Sequence, residues 1–290
     1  TLEAKEAITQ SMKKDKPFFL YMSHYAVHSP FQTDLRFEEN YKDSTRSRPA
    51  KSFATLIEGI DKSLGDLMDH VTDKGVAENT LILFVGDNGS DAPLGDNYGY
   101  YSSAPLRGKK GTCYEGGLRV PFIASWAQRG DQNKFPIARN HLHTKQIGTV
   151  MDIYSTILDA SGAKNPQEHV IDGVSLRKQL SGKVNQNRLD HFMCHFPHSH
   201  RSSYFTSYRR GNWKLIYRYL TEGGKRKSKN PLPQHELYNL KNDPYETKNM
   251  ALENRPKVNE MIKLMSSQLK DEDALFLVRD DKFLKPALLK

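Results

Sequence analysis

Cysteine is nearly absent: the 290 residues contain only Cys113 and Cys194. Two thiols cannot build a disulfide framework, and they leave the redox compartment open. Long apolar runs are missing as well, and no stretch approaches the roughly 20 residues that a membrane-spanning helix needs. Thr1 to Gln10 has no basic region followed by an apolar one, so no signal peptide is visible, and there is no initiator Met. The chain starts instead inside a helical pattern, Leu2, Ala4, Ala7, Ile8 and Met12, and is expected to be a fragment or a processed product. No internal repeat is present. No RRM, zinc-finger or helix-turn-helix signature accompanies the net charge of +9, so nucleic acid is not expected as a partner. That charge reads first as a lysine-rich solvated surface. The sharper reading is a polyanionic partner such as a sulfated sugar.

Hydrophobic residues are only 37% of the chain, yet they cluster in clear runs, so a core can form. Phe18 to Met22 has the length and aromatic content of a buried strand and leads into a polar stretch with His24 and His28. Phe53, Leu56, Ile57, Ile60, Leu64, Leu67, Met68 and Val71 fall at helical spacing, with Pro49 in the first turn and Gly75 past the end. Leu81 to Val85 is a second buried strand, ending at Gly86-Asp87-Asn88-Gly89. Strand, helix and strand in this order predict a parallel βαβ unit, in which both polar segments lie at the carboxyl edge of one sheet. Residues 90 to 118 read as a long functional loop. Val120 to Trp126 reads as a strand, and Thr144 as the cap of a helix closed by Gly162.

The pattern changes near residue 183, which predicts a first domain over 1–183 and a second over 184–290. Phe205 to Arg210 and Trp213 to Tyr219 flank the hairpin signal Gly211-Asn212, and Glu236 to Leu240 reads as a further strand. Val258, Met261, Ile262, Met265 and Leu269 mark one helix. The expectation is an α/β domain followed by a small antiparallel sheet with one helix packed on it.

Three segments offer chemistry. Asp87 and Asn88 present a carboxylate and an amide oxygen side by side, hard donors suited to Ca²⁺ or Mg²⁺, though two ligands are too few for either ion. His28 and His24 sit four apart beyond a strand without the partners of a zinc site; such an imidazole can donate to an anionic oxygen or protonate a leaving group. Arg107-Gly108-Lys109-Lys110-Gly111-Thr112 is not a P-loop, but a lysine between glycines still reaches an anion as a point charge. The plain alternatives are an ordinary turn, a structural histidine and a solvent-facing basic loop.

Together these segments resemble the type I sulfatase family of the alkaline phosphatase superfamily. Phe18-Phe19-Leu20-Tyr21 with His28-Ser29-Pro30, Asp87-Asn88-Gly89, and Gly108-Lys109-Lys110-Gly111-Thr112 with Tyr114-Glu115-Gly116-Gly117-Leu118-Arg119-Val120-Pro121 occur in the family's order. Asp172-Gly173-Val174-Ser175-Leu176, Trp213-Lys214-Leu215-Ile216, Glu236-Leu237-Tyr238-Asn239-Leu240 and Asp243-Pro244 to Glu246 resemble its C-terminal subdomain. The resemblance implies an α/β fold with a mixed sheet flanked by helices, incomplete at the N-terminus, and hydrolysis of sulfate esters of a carbohydrate. It implies Asp87 and Asn88 as Ca²⁺ ligands, Lys110 (or Lys109, if the match slips by one place) on a sulfate oxygen, and His28 on sulfate or the leaving group. It implies a periplasmic or secreted protein. A non-catalytic binder of sulfated polysaccharide and a related metal-dependent phosphatase or phosphodiesterase are the alternatives.

The family's nucleophile is a formylglycine made from Cys or Ser in Cys/Ser-x-Pro-x-Arg. Cys113 precedes Tyr-Glu-Gly-Gly and Cys194 precedes His-Phe-Pro-His, so neither fits, and no serine is expected to supply it. The family's early Asp-Asp pair is missing too, since Asp280-Asp281 lies in the tail. The missing N-terminal half is therefore the expected partner, Ca²⁺ should bind weakly or not at all, and the chain should be inactive by itself. His191, His195, His198, His200 and Arg201 crowd one segment. His195, and after it His198, are expected on the substrate side of the cleft, affecting KM and selectivity more than the chemical step.

Overall fold

The computed structural model describes residues 1–94, 102–188, 190–198, 204–221 and 231–289. His200, Arg201 and the basic stretch from Gly223 to Lys229 lie outside the described residues. The chain forms two compact units. One comprises Thr1–Val85, a short stretch from Asp91, and Pro121–Ile137; the other comprises Gly86–Ser90, a stretch ending at Val120, and the chain from Ala138 on.

In the first unit, α1 (Leu2–Lys13) turns Ala4 and Ile8 inward. Helix α2 (Arg48–Asp73) starts where the Ser47 side chain accepts the Ala50 N–H, with a proline in its first turn. It ends at Lys74, followed by Gly75 at φ +71°. Phe53 and Val71 are buried as the helical spacing predicts, whereas Ile57 stays half exposed. Strands β1 (Leu81–Val85) and β2 (Phe122–Trp126) pair antiparallel, Leu81 opposite Trp126 and Val85 opposite Phe122.

The expected parallel βαβ unit does not form. Residues 18–22 are extended with a strand-like alternation: Phe18 and Leu20 pack on the cluster of Ile8, Val71 and Ala77, while Phe19 and Tyr21 are 70% and 79% exposed. Period two reports which side chains face the core, but a strand also needs a neighbour to take its N–H and C=O groups. Among the described residues no strand pairs with this segment, and β1 takes β2 instead.

The second unit is built on a four-stranded antiparallel sheet, in the order β3 (His191–Phe196), β4 (Phe205–Arg210), β5 (Trp213–Arg218) and β6 (His235–Asn239). Gly211-Asn212 closes the β4–β5 hairpin as read from sequence, with Gly211 at φ +55°. β3, which the histidine-rich composition did not mark as a strand, forms one edge of the sheet. Alternation divides β5 between two faces. Leu215 and Tyr217, with Tyr208 and Leu237, pack against Val258, Met261, Ile262, Met265 and Leu269 of the helix Arg255–Asp271. Ile216, with Phe205 and Tyr238, packs on Cys113 from the loop that carries the lysines. Leu215 is fully buried, and Leu215→Ala is expected to cost about 2–5 kcal/mol of unfolding free energy in a denaturant titration.

The helix expected from Thr144 starts later, at Asp152, and runs to Ser161 with Gly162 at φ +72°. The Asp152 carboxylate accepts the N–H groups of Thr149 and Val174 and pairs bidentately with Arg188 at 2.6 and 2.9 Å. Those bonds tie the Asp172–Leu176 segment to the start of the helix and leave residues 147–151 outside it. Asp280-Asp281 is the turn of a small hairpin, both residues at positive φ, between Val278–Arg279 and Lys282–Phe283.

Candidate functional site: a lysine segment stitched to an Asp-Asn turn

The turn after Val85 and the lysine segment belong to the same compact unit and are joined through their backbones. Gly89 N donates to Gly117 O at 3.0 Å, and Lys110 N donates to Ser90 O at 3.0 Å. The fit at Gly89 excludes any side chain, because a Cβ there would stand 2.0 Å from Gly116 O. The lysine segment also closes on itself: Thr112 donates to Lys109 O through both N–H and Oγ1, at 3.0 and 2.9 Å. Asp87 is exposed and Asn88 half-buried, while Lys110 is half-buried and makes no ion pair among the described residues. Asp87, Asn88 and Lys110 thus lie on two segments that backbone bonds hold side by side.

Ca²⁺ takes about 6–8 oxygen ligands. Among the described residues no group of three or more His, Cys, Asp or Glu forms a metal cluster. The exposed Asp87 carboxylate beside the Asn88 amide fits one end of a Ca²⁺ shell rather than a whole one.

Behind the lysine segment lies a buried charge network that sequence reading missed. Alternation sends Lys214 and Arg218 to the same face of β5 as Ile216. Lys214 Nζ sits 2.9 Å from Glu115 Oε1 and 2.7 Å from Glu246 Oε1, and the other Glu246 oxygen accepts the Glu115 N–H at 2.7 Å. Arg218 pairs with Glu236 at 2.5 Å and donates to Tyr114 Oη at 3.1 Å. Arg107 lies over the Tyr114 ring and donates to Tyr238 Oη and Glu246 O, each at 2.9 Å. Burial works to raise the Glu115 carboxyl, but Lys214, with Arg209 and Arg119, outweighs it and carries Glu115 below its ordinary value. Burial wins at Glu246, which is raised despite Lys214. Burial alone would lower the Lys214 ammonium, yet Glu115 and Glu246 lift it above its ordinary value. The available signal was the charge placed at Lys214 and Arg218 in an otherwise apolar strand, because fully buried charges occur paired.

His28 belongs to the first unit, exposed, its Nδ1–H donating to Ser29 O at 2.8 Å. His195 has both ring nitrogens engaged: Nε2 donates to Leu275 O at 2.6 Å, and Nδ1 is 2.7 Å from Thr206 Oγ1. A sugar contact by His195 would require it to release one of them. His198 is exposed, its ring centroid 3.8 Å from that of Phe196.

One correction concerns the nucleophile pattern. Ser103-Ala104-Pro105-Leu106-Arg107 does satisfy Ser-x-Pro-x-Arg to the letter. Its surroundings give it a packing role: Ser103 Oγ donates to Gly116 O at 2.8 Å, and Arg107 is held by Tyr238 and Glu246. The overlap arises because this stretch leads directly into the lysine segment.

The chain matches the sulfatase family over residues 2–163 and the family described as N-sulphoglucosamine sulphohydrolase, C-terminal, over 108–274. It belongs to the sulfatase family. A sulfatase of Formosa agariphila is 32% identical over 270 residues, which span 85% of this chain and 44% of that protein. The N-acetylgalactosamine-6-sulfatase of Canis lupus familiaris is 32% identical over 180 residues, 62% of this chain and 31% of that protein. The crystal structure of Ps i-CgsB in complex with k-i-k-neocarrahexaose superposes with a TM-score of 0.69 at 23% identity, covering 92% of this chain and 53% of that one. The chain thus spans about half the length, or less, of these proteins, and shares the α/β fold with its small C-terminal antiparallel sheet. No described helix is long and apolar enough to cross a membrane.

Proposed function

We propose that this chain supplies the lysine wall and one end of the Ca²⁺ shell of a site that hydrolyses sulfate esters of a carbohydrate. The observation that carries the reading is the backbone stitching of the Asp87-Asn88 turn to the Lys110 segment, because a sulfuryl group needs a metal and a fixed cation on neighbouring oxygens. Asp87 and Asn88 would hold Ca²⁺, which when bound withdraws charge from the sulfuryl oxygens. Lys110 places a point charge on a sulfate oxygen without proton exchange. His28, in the first unit, is by resemblance to the family the candidate donor to sulfate or to the departing sugar oxygen, and its ring is held by Ser29 O. The exposed His198 meets the sugar, with His195 behind it in the sheet. A carbohydrate substrate is favoured by the names of the relatives, which include an N-acetylgalactosamine-6-sulfatase.

On this reading the residues proposed here bind the ligand and supply no nucleophile, and these 290 residues match only about half the length, or less, of the relatives. The test is calorimetric titration of the chain with a sulfated monosaccharide and with its desulfated form. Lys110→Ala should weaken the sulfated ligand by about 10–100-fold, the loss of a charge-assisted contact worth about 1.5–3 kcal/mol. Equal affinity of parent and variant would refute the lysine assignment. Binding that survives Lys110→Ala but vanishes at high salt would favour a diffuse polyanion-binding surface instead.

A further inference from the structure

We propose that Lys214, on the sheet behind the lysine segment, is a positioning residue for the anion-binding Lys110. This inference rests on the assignment of Lys110 made above. Lys214 is 1% exposed and its ammonium lies between two carboxylates, Glu115 at 2.9 Å and Glu246 at 2.7 Å. Glu115 is part of the segment that carries the lysines, whereas Glu246 follows β6 and captures the Glu115 backbone N–H. The two residues after Glu115 are Gly116 and Gly117. Gly116 N donates to Arg107 O at 2.7 Å, and Gly117 O accepts the Gly89 N–H at 3.0 Å. A Cβ on Gly117 would stand 2.7 Å from Lys109 O, so the carbonyl just before Lys110 rests on this glycine pair. One ammonium therefore fixes the point where the lysine segment, its own return and the Asp87-Asn88 turn meet.

The charges explain why a lysine stands there. The Glu115 carboxylate also has the half-buried Arg209 at 3.6 Å, so two cations and two carboxylates balance, with Lys214, Glu115 and Glu246 buried. Removing Lys214 leaves two buried carboxylates facing each other. Moving the segment outward is the route by which they regain solvent, and that motion carries Lys110 away from the turn. The cost appears as lost order in the segment rather than in the core beneath the sheet, which Leu215 and Tyr217 form with the helix Arg255–Asp271 on the opposite face.

The experiment combines titration with inorganic sulfate and amide hydrogen exchange on the full chain. Lys214→Met is expected to weaken sulfate binding by about 10–100-fold, the range for loss of an outer-shell partner. It should speed exchange at the Gly89 and Lys110 amides while the amides of Val258 to Leu269 keep their protection. Lys214→Arg, which keeps the charge, should restore part of the affinity. If Lys214→Met does not fold, Glu246→Gln makes the same comparison, since it retains an acceptor for Glu115 N and removes one charge. Unchanged sulfate affinity in a folded variant, or a loss of protection spread evenly over the helix, would overturn the positioning role. Lys110→Ala is the control. If that variant leaves sulfate binding intact, the site assignment fails, and the exchange pattern still decides whether Lys214 orders the segment.

Discussion

Gly89→Ala is expected to abolish most sulfate binding while leaving the C-terminal sheet folded. The added Cβ would stand 2.0 Å from Gly116 O, 2.7 Å from Gly117 Cα and 2.9 Å from the Gly116 carbonyl carbon. All three are backbone atoms, so no side chain can swing aside. Ordinary contact requires a shift of about 1 Å or more in a close-packed junction, which breaks the Gly89–Gly117 hydrogen bond and parts Asp87 and Asn88 from Lys110. A misplacement of about 1 Å in a preorganised site costs on the order of 100-fold. Titration with inorganic sulfate reads that loss, and circular dichroism with thermal melting checks that the fold persists. The contrasting variant is Gly65→Ala in the exposed interior of α2, where a Cβ meets nothing within 4 Å. It should leave sulfate binding unchanged and stabilise the chain by up to about 1 kcal/mol. Equal sulfate affinity in Gly89→Ala would show that the turn and the lysine segment do not act as one site.

The second large effect is an absence of turnover. The chain with Ca²⁺ should hydrolyse an aryl sulfate no faster than buffer, because the proposed lysine wall and metal ligands would bind the ester and supply no attacking atom. Ser103 is the residue through which this expectation can fail, since it stands in the one stretch that satisfies Ser-x-Pro-x-Arg. Its hydroxyl is bonded to Gly116 O, and the pattern's arginine is committed to the sheet. Mass spectrometry of the peptide spanning Ser103 should therefore find unmodified serine. Turnover above background, together with a peptide lighter by two hydrogens at Ser103, would move the nucleophile into this chain and reverse the division of labour proposed here.

Much of the C-terminal unit was legible in the sequence because its signals are local. Gly211-Asn212 between two apolar runs specified the hairpin, and the spacing from Val258 to Leu269 specified the helix face. The Asp-Asn-Gly turn and the lysine segment were legible as chemistry, since a carboxylate, an amide and a lysine between glycines each suggest a ligand without reference to the fold. Phe18 to Met22 was misread because alternation reveals burial and says nothing about a ladder partner. β3 (His-Phe-Met-Cys-His-Phe) was missed because its two histidines drew a reading as chemistry, while its six residues carry no clear polar alternation and its pairing with β4 decides its conformation. The helix expected from Thr144 began seven residues late, since Asp152 uses its carboxylate on Thr149, Val174 and Arg188, the last 36 residues away in sequence.

The sequence by itself determined the family, the β4–β5 hairpin and the buried face of the helix from Arg255: these depend on side-chain chemistry and on spacings of a few residues. The tertiary structure alone decided how the site is held. That Gly89 rests on Gly116, that Lys110 N reaches Ser90 O, and that Lys214 joins Glu115 to Glu246 are contacts between segments about 20 to 130 residues apart, set by which face of a strand the pleat turns toward which loop. No local pattern encodes such a meeting. A buried lysine signals that partners must exist, and only the folded chain shows which carboxylates they are.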